Sequence, residues 1–240
     1  MKFTYDPDVE EFRQEVRDFI AKELPPEEER QKRGYEGGFK TNKEEYDYTM
    51  GFQKKLTAKG WLAMAWPKEY GGSGASHMRQ LVYNEEMAYA GAPVGNMGVA
   101  WVGPSLMLYG TEEQKKQFIP RITGADDWWC TLYSEPGSGS DLASLQTRAV
   151  KDGDDYIING QKIWTSGGHL ADWGWLAART DPDAPLNCCS GRLGALRKNR
   201  GPENRKTALL FRNNCKASWS GEIKASGSNT TTPAILFPPA

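Results

Sequence analysis

Residues 147–164 read TRAVKDGDDYIINGQKIW. Thr, Val, Tyr, Ile and Trp are frequent here, and two turn dipeptides, Asp152-Gly153 and Asn159-Gly160, punctuate them. Both dipeptides suit the left-handed backbone of two-residue hairpin turns. The stretch therefore predicts short antiparallel strands. The same composition continues upstream in WWCTLYSE (128–135) and downstream in WGWLAART (173–180).

Upstream of Trp128 the period is helical. Asp6 suits an N-cap and Pro7 the first helical position. Phe12, Val16, Phe19 and Ile20 then recur on one face until Pro25-Pro26. PPEEERQKRGYEGG reads as a polar surface connector. Thr41-Asn42 starts a second helical segment that ends at Lys59-Gly60, with Gly60 suited to the position after the C-cap. WLAMAWPKEYGGSGAS (61–76) predicts a tight crossing loop. Met78–Tyr89 is helical again, and Gly91-Ala92-Pro93 breaks it. Val94–Tyr109 predicts a helix buried on most sides. Thr111-Glu112-Glu113 caps a last short helix, EEQKKQFI, which Pro120 is expected to end. A block of helices followed by a block of strands makes an α+β chain of two domains.

After Pro185 no period of 2 or 3.6 is sustained, which predicts an irregular, weakly ordered tail. Charge changes at the same place. Up to Pro185 there are 21 basic and 29 acidic residues, and from Leu186 onward 9 and 2. The chain as a whole carries a net charge of −1, which argues against nucleic-acid or polybasic membrane binding. Cys130 lies in the body and Cys188, Cys189 and Cys215 in the tail, without CxxC or zinc-type spacing. A reducing compartment follows. The N-terminus has no signal-peptide pattern, and no apolar run approaches membrane-spanning length. The expected location is the cytoplasm, or a mitochondrial matrix after loss of a presequence.

YSEPGSGSD (133–141) joins the end of one expected strand to the next segment. Gly137 and Gly139 let backbone approach a ligand, successive N–H groups can form an anion-accepting concavity, and Ser134, Ser138 and Ser140 add hydroxyls. Trp164-Thr165-Ser166 follows NGQKIW. An indole at a strand end can stack on a planar ring, and a hydroxyl two residues on points to the same side of an extended chain. Together these suit a flat heterocycle bearing phosphates. Taken alone, the first stretch is also an ordinary turn and Trp164 an ordinary core residue.

YSEPGSGSDLASLQTRA followed by DDYIINGQKIWTSGG resembles the flavin-binding middle domain of the acyl-CoA dehydrogenase family, whose pattern is Ser/Thr-Glu-Pro-x-x-Gly-Ser-Asp and then Asn-Gly-x-Lys. WPKEYGGSGAS and YGTEEQKKQFIPRITGAD are similar to that family's helical N-terminal domain, so the resemblance spans residues 1–185. Tyr133 departs from the aliphatic residue common there. The resemblance implies an all-α N-terminal helical domain over 1–124, a partial antiparallel β-barrel domain over 125–185, and an atypical basic tail over 186–240. It implies FAD as cofactor, held by Leu132, Tyr133, Ser134, Gly139, Ser140, Trp164, Thr165 and Ser166. In that scheme Ser134 bonds the pyrimidine edge. Ser140 lies near the pyrophosphate and the acyl-CoA, Trp164 covers the ring, and Ser166 bonds N5. Glu135 and Asp141 fix the loop.

The implied reaction is α,β-dehydrogenation of an acyl-CoA, as in fatty acid β-oxidation, with electrons passed to an electron-transfer flavoprotein. Family members continue into a C-terminal helical bundle that carries the catalytic glutamate and the oligomer interface. The chain matches no such bundle, and a truncated protein with no assignable catalytic base is expected. Glu85, Glu86, Glu112 and Glu113 read as solvated helix-surface charges, and His77 and His169 as loop histidines without a metal or triad pattern. The alternatives are an inactive association module and an acyl-CoA oxidase or flavin monooxygenase relative. All but Trp219 of the nine Trp lie between Trp61 and Trp175, and their apolar surface, left uncovered, predicts self-association.

Overall fold

The computed structural model describes residues 5–26, 28–29, 42–152, 155–168, 170–180, 191–197, 216–219, 222–224 and 231–233. Packing divides the chain into two compact units, Met1–Gly95 with Ile119–Asp126, and Asn96–Phe118 with Asp127–Ala240.

The first unit is helical. Helix α1 (Pro7–Glu23) starts on Pro7, and the Asp6 carbonyl accepts the N–H groups of Val9 and Glu10. Val9, Phe12, Val16 and Phe19 form its buried face; burying each contributes about 1.5–3 kcal/mol. Leu24 is extended, as a residue before proline prefers, and the helix stops. Helix α2 (Asn42–Ala58) brings Phe52 and Leu56 to the same core. It ends at Gly60, whose φ is 68°. The Trp61 N–H donates to the Leu56 carbonyl and the Gly60 N–H to Thr57, which together close a Schellman cap. Trp61 then meets Phe12 and Phe19 edge-on, with ring centroids 5.5 and 5.2 Å apart.

The crossing loop folds back on itself. The Gly74 N–H donates to the Trp66 carbonyl and the Ala75 N–H to Met64, both at 2.9 Å. Helix α3 (His77–Tyr89) packs on α1 through Val82, Tyr83 and Met87. Arg13 and Arg17 of α1 both bond Glu86, and Arg13 also bonds Glu85. Glu86 is thus an ion-pair partner and no solvated surface charge.

Residues 94–109 differ from the single buried helix expected. Gly98–Val102 form a wide turn in which the Gly103 N–H donates to the Gly98 carbonyl, and α4 (Gly103–Tyr109) continues it. Pro104 has no N–H for the Ala100 carbonyl, so the regular ladder cannot pass through it. Only Gly98, Val102, Gly103 and Leu106 are buried, while Trp101, Leu108 and Tyr109 are exposed.

Helix α5 (Glu112–Thr123) begins with a reciprocal cap. The Gln114 N–H donates to Thr111 Oγ1, and the Thr111 N–H to Gln114 Oε1. Pro120 does not end this helix. It lies inside it, and the Thr123 hydroxyl and Gly124 N–H bond the last carbonyls.

The second unit holds a mixed sheet, where antiparallel pairs alone were expected. β1 (Trp129–Leu132) and β4 (Trp173–Arg179) are parallel, and β2 (Arg148–Asp152) and β3 (Asp155–Asn159) form the antiparallel hairpin expected at Asp152-Gly153. β2 also meets β4 in parallel. β4 can be central because Trp173–Ala178 are buried throughout, which a continuous apolar run permits. Strands β5 (Gly191–Arg197), β6 (Lys216–Trp219), β7 (Glu222–Lys224) and β8 (Thr231–Pro233) lie in the stretch whose sequence shows no period. β5 pairs antiparallel with β4, β6 runs parallel to β3, and β7 pairs with β8. The other residues of 186–240 lie outside the described set.

Asn159-Gly160 makes no hairpin. Gly160 instead passes so close to Thr147 that a Cβ would stand 2.6 Å from the Thr147 Cα. No helix among the described residues is long and apolar enough to cross a membrane.

Candidate functional site

β1 delivers its last residue, Leu132, buried, to the loop that follows. Tyr133 is half-buried, its ring 5.5 Å from that of Trp101. Burial pushes its phenol above the ordinary value. Glu135 and Ser138 exchange backbone hydrogen bonds of 2.7 and 3.1 Å, so Pro136-Gly137 form a two-residue turn. The Ser138 hydroxyl donates to the Asp141 carbonyl at 2.8 Å, and so does Ser144. Gly139, Ser140 and Asp141 are exposed on the outer side of this turn. A Cβ on Gly137 or Gly139 would meet nothing within 4 Å, so the backbone there borders open space.

Glu135 is the loop's anchor. Its Oε1 accepts from the Thr147 N–H at 2.9 Å and from Lys162 Nζ at 2.8 Å, and its Oε2 accepts from the Gln146 N–H at 2.5 Å. Burial opposes its ionisation, but these donors outweigh burial and hold the carboxyl below its ordinary value. Lys162 Nζ also donates to the Tyr133 carbonyl at 2.9 Å.

The two motifs meet along this line. The Ile163 N–H donates to the Ser134 carbonyl at 2.9 Å. Trp164 comes next, and its backbone is not a strand end. Its φ is 56°, the left-handed region that a bulky residue rarely adopts. Its indole is 69% exposed. The Ser166 N–H turns back to the Trp164 carbonyl at 3.0 Å, so Trp164 and Ser166 do not share one face of an extended chain as expected. Gly167, with φ 69°, completes the turn against Trp128. Thr165 is buried, and its hydroxyl finds no partner among the described residues.

The structure therefore joins Leu132, Tyr133 and Ser134 to the segment leading into Trp164, Thr165 and Ser166. Gly139 and Ser140 are exposed and make no hydrogen bond to residues 164–166 among the described ones. Lys162 was missed as a site residue. Its signal was its place in Asn-Gly-x-Lys, two residues before Trp164. His77 is exposed at the start of α3, and His169 lies outside the described residues. Among the described residues no cluster of His, Cys, Asp and Glu could hold a metal ion.

The family model for the acyl-CoA dehydrogenase N-terminal domain matches residues 6–126, and that for the middle domain residues 130–190. Acyl-CoA dehydrogenase FadE26 of Mycobacterium tuberculosis is 46% identical over 184 residues, covering 77% of this chain and 45% of its own. Acyl-CoA dehydrogenase IpdE1 of the same organism is 43% identical over 176 residues, covering 72% and 45%. Among solved structures, the ChsE4-ChsE5 complex from M. tuberculosis matches with TM-score 0.71 and 41% identity, covering 82% of this chain and 49% of that one. The Tcur3481-Tcur3483 steroid ACAD matches with TM-score 0.71 and 36% identity, covering 99% and 59%. The chain thus spans about half the length of the relatives it matches.

Proposed function

The chain belongs to the acyl-CoA dehydrogenase family, and from that premise we propose that it is the FAD-binding portion of an enzyme that introduces an α,β double bond into an acyl-CoA thioester. One observation carries this: the Ile163–Ser134 hydrogen bond sets an exposed indole, in strained backbone, directly after a segment tied to a donor-bearing loop. Strain of this kind persists where the surroundings impose it and marks candidate ligand sites.

The residues present fit a flavin. Gly137 and Gly139 leave open space beside their backbone, and the buried Thr165 hydroxyl has no described partner. Leu132, Tyr133 and Ser134 would hold the pyrimidine edge, Gly139 and Ser140 the pyrophosphate, and Trp164, Thr165 and Ser166 the ring. Ser140 would also touch the acyl-CoA. Bound FAD supplies the two-electron acceptor. The chain's own part is to orient: Ser134 donates to the ring edge, Trp164 shields one side from water, and Glu135 holds the loop that presents them. Glu86 is not free to remove the substrate's α-proton, because Arg13 and Arg17 bind it. That base is proposed to lie beyond the matched part of the relatives.

Descriptions of two similar structures name a steroid ACAD. We extend this to the substrate, a CoA thioester whose acyl chain is carried on a steroid nucleus, ahead of a straight-chain fatty acyl group. A related second subunit, an electron-transfer flavoprotein and a cytoplasmic location belong to the same proposal. Nothing supports a mitochondrial location, since the relatives are bacterial.

A second reading, an association module without catalysis, rests on the exposed Trp101, Leu108 and Tyr109. Titration of the purified chain with FAD, followed by visible absorption, separates the two. Saturable binding with a perturbed flavin spectrum supports the first. No binding at high micromolar FAD, with concentration-dependent association, supports the second.

A further inference from the structure

Lys162 is fully buried, and its two bonds go to different kinds of acceptor. One is the Glu135 carboxylate. The other is the Tyr133 carbonyl, which shares a peptide unit with the Ser134 N–H. That N–H has no acceptor among the described residues.

A buried ammonium costs several kcal/mol in desolvation, and a buried ion pair replaced as a whole by apolar side chains of similar volume is often as stable. Glu135 already receives the Gln146 and Thr147 N–H groups. Neutralising and anchoring that carboxylate accounts for one bond of Lys162 and leaves the other, to the Tyr133 carbonyl, to be explained. Its bond to the Tyr133 carbonyl is charge-assisted, about twice as strong as a neutral one. Carbonyl and N–H of one peptide are conjugated, and hydrogen bonds in series polarise one another. An ammonium on the Tyr133 oxygen makes the Ser134 N–H a stronger donor. Because Glu135 neutralises the ammonium locally, the effect reaches the site through this peptide and not as a long-range field.

We propose that Lys162 is a positioning residue that tunes the bound ring: through the Tyr133–Ser134 peptide it strengthens the Ser134 N–H, the donor that would bond the ring's electron-rich edge. This rests on the flavin reading above. The ring edge gains negative charge on reduction, so the strengthened donor raises both affinity and reduction potential.

The test compares the full chain with Lys162→Met and Glu135→Gln. FAD affinity is read by titration and the potential of bound FAD by dye-coupled reduction, with circular dichroism as the check on folding. Should Lys162→Met not fold, the double variant Lys162→Met/Glu135→Gln, which strands no charge, takes its place. Loss of Lys162 is expected to weaken FAD binding about tenfold and move its potential negative. Glu135→Gln leaves the Lys162 nitrogen on the Tyr133 carbonyl but removes the partner that opposes the lowering of its pKa by burial. All variants are therefore compared at two pH values, and at the lower one, with Lys162 charged, this variant is expected not to move the potential negative. Equal negative shifts in both variants at the lower pH, or an unmoved potential without Lys162, overturn the proposal while leaving the flavin reading intact. A wild-type chain that binds no FAD overturns the flavin reading itself, and this proposal with it.

Discussion

The Lys162 ammonium stands 2.8 Å from Glu135 Oε1, with the two side chains 0% and 6% exposed. Twenty-seven residues separate them in sequence, so this pair ties the loop after β1 to the segment after β3. Breaking a buried pair from one side leaves a charge without a partner. Glu135→Leu should therefore destabilise the second unit by about 3–5 kcal/mol. Adding Lys162→Met to it should recover most of that loss. Urea unfolding followed by tryptophan fluorescence reports it, since Trp129, Trp173 and Trp175 lie in the sheet. Equal losses in the single and double variants would show that the two side chains are not coupled.

Acid should weaken both units. In the first, hydrogen bonds from Arg17, then Arg13, outweigh burial and hold Glu86 below its ordinary value. In the second, Glu135 is held down as described. A depressed carboxyl stabilises fully above its unfolded value, about 4.3, and loses that contribution as pH falls through it and below. Melting temperature should hold between pH 7 and 5 and drop below about pH 4.3. Glu86→Gln should lower it at neutral pH and flatten the acid fall of the first unit. An unchanged acid limb in that variant would assign the effect to other carboxylates.

The helical half was legible because its signals are local. Pro7, the Phe12–Phe19 stripe and Gly60 each act within one or two turns, and all three stand where the pattern puts them. Where a local preference competes with a distant contact, the distant contact wins. Asn159-Gly160 has hairpin chemistry, but the glycine is taken up by the approach to Thr147, thirteen residues back. Pro120 stands inside the last turn of α5, where its missing N–H leaves one carbonyl, that of Lys116, without its helical donor, and the Thr123 hydroxyl bonds the end carbonyls of Ile119 and Pro120. Lys162 carried a signal in Asn-Gly-x-Lys, but a lysine in a strand-like segment ordinarily faces water, and only the fold shows its buried bond to Glu135.

Two glycines in neighbouring segments should respond in opposite ways. Gly160→Ala would drive a Cβ to 2.3 Å from the Thr147 hydroxyl and 2.6 Å from its Cα. Backbone has to move, and a loss of about 1–3 kcal/mol is expected. At Gly137 a Cβ meets open space, and φ is not in the left-handed region. Gly137→Ala should leave thermal stability unchanged or raise it by about 0.4–1 kcal/mol. On the flavin reading it should also weaken FAD binding, because the methyl group fills the approach to the backbone. A stable Gly137→Ala chain with undiminished FAD affinity would place the cofactor elsewhere.

Trp164 sets strain against function most directly. Its φ of 56° is the left-handed region, which costs a residue with a Cβ about 1–2 kcal/mol. Its indole is 69% exposed, so little burial offsets that cost. Trp164→Gly removes the clash and should raise the melting temperature of the FAD-free chain, by a shift equivalent to about 1 kcal/mol. The same change should weaken FAD binding, because the ring loses its cover. Trp164→Phe keeps the strain and a smaller cover, and should fall between the two on affinity with no gain in stability. Paired melts and FAD titrations decide it. A Trp164→Gly chain that melts lower without cofactor would show the indole to be a structural anchor, and its role over the ring would have to be abandoned.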